Sequence, residues 1–147
     1  MSNEPLWFSG GITWNVVASY FRARLLPEGS VFGHKTPLLI PRPWADWLST
    51  RALLALANSD VVDYILRTFL GSRMEIEASE LRRLIIPVLS SSQRADLEKF
   101  SERAIRARQV PAGNRTDEVL SKIETELNGY VRDLYAIDRD AELWVVR

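Results

Sequence analysis

Glycine and proline are concentrated at the start of this chain of 147 residues, and their distribution limits the folds that the chain can adopt. Residues 1–43 hold four of the seven glycines and five of the seven prolines. Both residue types interrupt long helices and regular strands, so only short extended runs fit between them. Pro27-Glu28-Gly29 predicts a turn, since proline presets φ and glycine accepts a positive φ. These features predict a small, irregular antiparallel sheet whose strands come from residues 12–14, 16–17, 20–24, 31–32 and 38–40.

Helical spacing replaces this pattern from about residue 53, where apolar residues recur three and four positions apart. A first apolar stretch ends at Asn58, and Ser59 is a good N-cap for the helix that follows. Gly71 is typical of the position just after a helix C-terminus. Residues 84–89 form an apolar run that predicts a buried strand, which Pro87 restricts to a sheet edge or a bulge.

The last third of the chain predicts two amphipathic helices joined by a short turn. Ser91 or Ser92 caps the first, from about residue 93 to 108, and Thr116 caps the second. Two such helices should pack antiparallel as a hairpin. The predicted fold is therefore α+β: a small irregular antiparallel sheet with short helices over residues 1–90, followed by a C-terminal antiparallel helical hairpin tail over residues 91–147.

Several classes of chemistry have no basis in the composition. The chain has no cysteine and one histidine, His34, so it lacks disulfides, thiolate nucleophiles and multi-histidine metal sites. Glycine-rich phosphate loops, dinucleotide fingerprints and a Gly-x-Ser-x-Gly elbow are also missing from the sequence. The N-terminus does not resemble a secretory signal and no segment has the length of a membrane span, which predicts a cytoplasmic protein.

Charge is balanced over the whole chain but unevenly distributed along it. The first 110 residues carry 14 basic and 11 acidic side chains, whereas the last 37 carry 5 and 8. Arginine dominates the cations, and guanidinium groups bind phosphates and guanine edges in a bidentate way. The arginine excess is equally compatible with codon bias, and Arg82-Arg83 with a solvated helix face.

Cations on predicted turns and strand ends are the candidate DNA-binding residues. Two of them alternate around Ala23, so that on a strand both side chains point to one face. Trp14 and Trp47 lie nearby, but burial tendencies favour a core position over a role as stacking platforms. The candidate DNA-binding residues are Arg22, Arg24, His34, Lys35, Arg42 and Arg73.

Four stretches of the chain, in order, resemble a known family. They are GITW at 11–14 with ARLLPEGSVF at 23–32, LLALANSDVVDY at 53–64, LRRLIIP at 81–87, and IETELNGYVRDLY at 123–135. These stretches are similar to the target recognition domain that follows the catalytic domain in adenine-specific DNA methyltransferases of the TaqI and Eco57I type, and that also occurs in bacteriophage-exclusion methyltransferases. Ala136 stands where the family pattern has glycine, a change with no expected structural consequence.

The resemblance implies a non-catalytic specificity piece of a restriction-modification or phage-defence system. Residues 1–90 would then be a partial target-recognition domain. The family's catalytic motifs are not in this chain, so the resemblance implies no catalytic residue, no metal and no cofactor here. S-adenosylmethionine is expected only in a separate methyltransferase subunit. The implied partners are double-stranded DNA and that subunit, without a membrane.

Two other functions remain compatible with the residues. In the first, the chain is an interaction module or truncated remnant that docks a methyltransferase partner without binding DNA alone, through an open sheet edge and the apolar seam of the hairpin. In the second, it is a small nuclease or hydrolase that uses His34 and scattered carboxylates such as Asp63. The acidic pairs of the chain are better explained as helix caps and solvated faces than as metal ligands.

Overall fold

The predicted α+β order of elements is present in the computed structural model, which describes residues 8–30, 36–42, 44–70, 75–110 and 114–138. Three short strands come first, then three short helices, then two long helices. A single π-helical turn, Leu66–Leu70, extends the second helix. The elements are β1 Gly11–Trp14, β2 Ala23–Leu26, β3 Leu38–Leu39, α1 Thr50–Ala57, α2 Asp60–Ile65, α3 Ala78–Leu81, α4 Ser91–Gln109 and α5 Asn114–Leu134.

The sheet is antiparallel, as predicted, with β1 in the centre and the order β2-β1-β3. Gly11 allows β1 and β3 to approach closely, since a Cβ there would lie 2.6 Å from Leu38 Cδ1 and 2.7 Å from the carbonyl oxygen of Leu39. The predicted turn after β2 is confirmed: Gly29 has φ of +83°, and the amide of Ser30 donates to the carbonyl of Pro27 at 3.3 Å.

The other predicted strands differ from the structure. The second strand starts at Ala23 and not at residue 20, because the residues before it are held by side chains and not by a neighbouring strand. Val17 forms an isolated bridge with Glu75 in place of the predicted strand at 16–17. The predicted strand at 31–32 lies outside the described residues.

The boundary between α1 and α2 is where the sequence predicts it. α1 ends at Ala57, with Asn58 as its C-cap. The Ser59 hydroxyl caps α2 by accepting a hydrogen bond from the Val62 amide at 3.3 Å. A cap is a local feature, which is why the sequence alone located it.

The strand predicted at residues 84–89 is wrong. Leu84 and Leu89 are buried, but Ile85 is 81% exposed and Val88 is 76% exposed, and the segment pairs with no described strand. Pro87 has no amide proton to donate to a ladder. The Tyr135 hydroxyl donates to the Ile85 carbonyl at 2.9 Å and holds the segment against α5. Burial raises the pKa of Tyr135 to about 12.

The helical hairpin is confirmed, with small shifts at its ends. α4 begins at Ser91, two residues earlier than predicted, because Ser90 forms a capping box with Gln93, and α5 begins at Asn114 before the expected cap. Contacts between the helices run in opposite directions along the chain. The Tyr130 hydroxyl donates to Asp96 at 3.4 Å, and Arg103 pairs with Glu126 at 2.7 Å. These contacts make the hairpin antiparallel.

α5 ends in a Schellman motif, in which the residue after the helix adopts the left-handed conformation. The Ile137 amide donates to the Arg132 carbonyl at 2.9 Å, and the Ala136 amide donates to the Asp133 carbonyl at 3.1 Å. Ala136 has φ of +53°, a region that favours glycine. The expectation that alanine here has no structural consequence is therefore wrong, because its Cβ crowds the backbone.

A single apolar core extends from the sheet to the hairpin. Ile12 and Trp14 of β1 belong to the same buried cluster as Leu97 of α4 and Val131 of α5. α4 packs along α1, so that the Ser101 hydroxyl donates to the Arg51 carbonyl at 2.7 Å. Among the described residues, no helix has the length and hydrophobicity needed to cross a membrane.

Candidate functional site

Asn58, the C-cap of α1, holds the start of β2, where Ala23 lies between Arg22 and Arg24. Asn58 Oδ1 accepts a hydrogen bond from the Ala23 amide at 3.0 Å, and Nδ2 donates to the Ala23 carbonyl at 3.0 Å. One side-chain amide thus pairs with both polar groups of one backbone residue, as a neighbouring strand would. This contact fixes the residue between the two arginines.

A buried ion pair fixes the chain just before β2. Asp63 Oδ1 accepts from the Phe21 amide at 2.6 Å and from Arg67 Nε at 2.8 Å. Arg67 Nη2 also donates to the Ala18 carbonyl at 3.0 Å. The sequence explained Asp63 as a cap or a solvated group, whereas the structure places it in the interior as the anchor of this segment.

The neighbouring acidic residue is also engaged in structure. Asp60 Oδ2 accepts from Arg132 Nη2 at 2.6 Å and thereby joins α2 to α5. Within the described part of the chain, no three acidic or histidine residues come together in a way that could hold a metal ion. The carboxylates of α2 are therefore committed to ion pairs.

A cleft of about 820 Å³ lies where β2, α1, α4 and α5 meet. Its lining is mostly apolar, and its polar residues are three arginines, three residues with side-chain amides, one serine and one carboxylate. The main apolar residues are Leu54, Phe100, Ala104, Ile105, Leu120, Ile123 and Leu127. Asn58 and Ser101 are held by the hydrogen bonds given above, and the other polar residues, which we call the rim, are Asn15, Arg22, Arg24, Arg108, Gln109 and Glu124.

The three rim arginines differ in their partners. Arg22 pairs with Glu124 at 2.8 Å, with both side chains about half exposed. Arg24 donates to the neutral amide oxygen of Asn15. No acidic side chain of the described chain pairs with Arg24 or Arg108. Two exposed guanidinium groups at the rim thus keep their charge available to a ligand.

The structure brings together two of the six predicted DNA-binding residues. Arg22 and Arg24 both line one cleft, but Ala23 and Leu25 line it too, so their predicted position on one strand face stays a prediction. Arg42 is exposed but follows β3, on the opposite edge of the sheet, and does not line the cleft. His34, Lys35 and Arg73 lie outside the described residues.

The aromatic residues are divided between core and surface. Trp14 is fully buried, and its Nε1 donates to the Ile76 carbonyl at 2.8 Å. Trp47 packs against the core, which confirms the preference for a core position over stacking for both residues. Trp44, two residues after Arg42, is 73% exposed. It is a surface aromatic in the connection between β3 and α1.

Sequence reasoning missed four members of the site: Asn15, Arg108, Gln109 and Glu124. A signal for Arg108 was present: it continues the apolar stripe of α4 four residues after Ala104 and eight after Phe100. An arginine at the end of an apolar stripe lies at the border of the surface that the stripe forms. Asn15 gave no such signal, because only the pairing of β1 with β2 places it beside Arg24.

Comparison with models of known protein families and with curated protein sequences finds no match for this chain. The chemistry of the site therefore rests on its own residues.

Proposed function

We propose that this chain is a non-catalytic DNA sequence-recognition piece of an adenine-specific DNA methyltransferase or of a restriction-modification or phage-defence system, acting with a separate catalytic subunit. The observation that carries the proposal is the rim of the cleft. Arg24, Arg108, Asn15 and Gln109 come from distant parts of the sequence and line one opening. The proposal implies a cytoplasmic protein, since such systems act on DNA in the cytoplasm.

The residue types of the rim are those that read DNA directly. Arginine binds phosphates and, in a bidentate way, the O6 and N7 atoms of guanine; asparagine and glutamine pair with the N6 and N7 atoms of adenine. Glu124 lowers the positive charge beside Arg22, and a carboxylate can accept from the N4 amine of cytosine. A rim that combines guanidinium, amide and carboxylate groups favours selective contacts with bases. A purely cationic rim would favour uniform attraction to phosphates.

The balanced charge of the chain supports a modest affinity. Non-specific binding depends on the number of phosphates that a protein neutralises. With 19 basic and 19 acidic side chains, the chain has no general excess of cations. We therefore expect weak binding to duplex DNA, with the logarithm of the affinity falling by about 0.9 per contacted phosphate for each tenfold rise in salt.

The test is fluorescence anisotropy of labelled duplex DNA at low salt with paired arginine variants. We expect Arg24→Ala and Arg108→Ala each to weaken binding about tenfold, because a good bidentate base contact contributes about 1–3 kcal/mol. Arg106→Ala is the matched control: Arg106 lies on the same helix, is exposed, and is outside the cleft.

Absence of any complex with the wild-type chain at tens of micromolar would contradict stand-alone DNA binding. Equal losses for Arg106→Ala and Arg108→Ala would contradict the assignment to the rim and indicate a diffuse electrostatic effect. Methyl transfer from S-adenosylmethionine, in this proposal, belongs to the catalytic subunit. Co-purification with an adjacent methyltransferase that lacks its own recognition domain would support that division.

A further inference from the structure

The seam between α4 and α5 is closed at one end of the hairpin and open at the other. The seam is closed on the side away from the connection between the helices. There the Phe100 and Tyr130 rings pack with centroids 5.7 Å apart, and Arg103 pairs with Glu126 at 2.7 Å. Toward the connection between the helices, Ala104 and Ile105 face the cleft. Leu120 lines the same cleft from α5. Apolar side chains of both helices therefore face the cleft and are not covered there by another helix of the described chain.

Apolar surface continues beside the cleft. Leu25 lines it and is 37% exposed, Val119 precedes the lining residue Leu120 and is 45% exposed, and Val110 follows Gln109 and is 59% exposed. Single exposed apolar residues are common, but several in the lining of one apolar cleft or next to it in the sequence favour a binding surface. An enclosed small-molecule pocket does not need such a border, whereas a docked peptide would cover it.

The charge of the rim indicates which side chains a docked peptide would carry. The lining includes three guanidinium groups and one carboxylate, and Glu124 is already paired with Arg22. Arg24, from β2, and Arg108, from the last turn of α4, therefore present positive charge beside the apolar lining. An occupant with carboxylates beside an apolar stripe would complement both features.

We infer that this cleft docks a short amphipathic helix from a partner protein, with leucine-like side chains on its apolar face and glutamate or aspartate beside them. A third helix can pack into the groove between two others, and helix-in-groove binding buries anchors spaced at i, i+3 or i+4, and i+7. The α4 wall from Phe100 to Gln109 spans about 14 Å at 1.5 Å per residue. That length matches a helix of two to three turns.

The docked helix and DNA share Arg24 and Arg108, so each excludes the other from the rim. This competition rests on the proposed DNA-binding function, whereas docking itself does not. Binding of a partner helix would in this way displace DNA from the rim.

The test uses a fluorescein-labelled synthetic peptide of about three helical turns, with leucines in an i, i+3, i+4, i+7 pattern and glutamates beside them. Its binding to the full chain is followed by anisotropy without DNA. Two control peptides have the same leucines with lysine in place of glutamate, or the same composition in scrambled order. We expect the acidic amphipathic peptide to bind at least about tenfold more tightly than either control, a difference of about 1.4 kcal/mol.

Variants of the chain locate the binding site. Ala104→Trp fills the cleft and should abolish binding, whereas Ala107→Trp, on the same helix but outside the cleft, should leave it unchanged. Arg24→Glu with Arg108→Glu changes only exposed residues, so it tests the rim even if Ala104→Trp does not fold. This double variant should reverse the preference between the glutamate and lysine peptides.

Three other results would contradict docking of a partner helix, and a fourth would contradict only the proposed DNA contacts. Equal binding of the scrambled peptide, or unchanged binding to both the Ala104→Trp and the charge-reversed variants, would rule out a docking groove. A dimer in sedimentation that Ala104→Trp dissociates would assign the cleft to a second copy of the chain. Failure of duplex DNA to compete, with peptide binding intact, would contradict the proposed DNA contacts and leave docking in place.

Discussion

Asp63 and Arg67 form a buried ion pair one helical turn apart, and the pair organises a segment distant in sequence. The carboxylate also accepts from the Phe21 amide, and the guanidinium also donates to the Ala18 carbonyl. A buried charge is tolerated when it is paired and its remaining hydrogen bonds are made. Here those hydrogen bonds belong to the backbone that leads into the cleft.

Removal of the carboxylate should be strongly destabilising. Asp63→Ala leaves the buried Arg67 guanidinium without its counter-charge and the Phe21 amide without its acceptor, so we expect a loss of about 3–5 kcal/mol in the free energy of unfolding. Urea denaturation measures this loss. The double variant Asp63→Ala with Arg67→Met should recover part of it, and Asp96→Ala, in an exposed pair with Lys99, should cost much less because water screens that pair. Equal losses for Asp63→Ala and Asp96→Ala would contradict the proposed burial.

Ala136 predicts a change of the opposite sign. Its φ of +53° at the end of α5 is unfavourable for any residue with a Cβ. Ala136→Gly should raise the free energy of unfolding by about 1 kcal/mol, after allowance for the greater entropy of glycine in the unfolded chain. Ala107→Gly, in the last turn of α4, should lower it by up to about 1 kcal/mol. Thermal unfolding of both variants checks the signs, and a lower melting temperature for Ala136→Gly would contradict the Schellman geometry.

Among the secondary-structure elements, β2 is the one that depends most on its surroundings. One edge pairs with β1, while Asn58 supplies hydrogen bonds to Ala23 on the other side. The same amide group donates to the Leu54 carbonyl at 2.9 Å, which closes α1. A single side chain thus ends a helix and completes an edge strand.

Asn58→Ala should therefore loosen the strand and the helix end together. Loss of three partly buried hydrogen bonds at about 0.5–1.5 kcal/mol each predicts a destabilisation of about 2–3 kcal/mol. Amide hydrogen exchange should become faster in β2 and in the last turn of α1, and the arginines of the rim should lose their fixed spacing. Asn128→Ala, which removes a hydrogen bond to the Asp60 amide, is the control and should leave exchange in β2 unchanged. Equal acceleration across the sheet in both variants would contradict the local role of Asn58.

Elements with local signals were predictable, and elements that need distant partners were not. Ser59 and the turn at Gly29 act on residues within a few positions, so their sequence sufficed. The apolar run at 84–89 had the composition of a strand, but a strand also needs a neighbour to pair with. The described chain provides no neighbouring strand there, and the backbone carbonyl of Ile85 binds Tyr135 instead.

At the scale of the whole molecule, the core joins the sheet segment to the hairpin. Leu97 of α4 is fully buried in the cluster that contains Trp14, Leu56 and Val131. If the hairpin only flanked an independent domain, its side chains would not share a buried cluster with β1, the central strand of the sheet. The two parts should therefore unfold together.

Leu97→Ala tests this cooperativity. Truncation of a fully buried leucine costs about 2–5 kcal/mol, and the tryptophan fluorescence transition should shift to lower urea as far as the helical circular dichroism transition does. Val119→Ala, at an exposed position of α5, should change stability by less than about 0.5 kcal/mol. Separate transitions for the two signals would contradict a shared core.

The sequence by itself determined the α+β class, the α1–α2 boundary and the helical hairpin, because periodicity and caps act between near neighbours. Tertiary structure decided that Asp63 is buried, that residues 84–89 form no strand, and that Arg108 and Asn15 join Arg22 and Arg24 around an apolar cleft. These features depend on contacts between residues far apart in the chain. Local propensity carries no information about such contacts, since only the packing of the complete core brings those residues together.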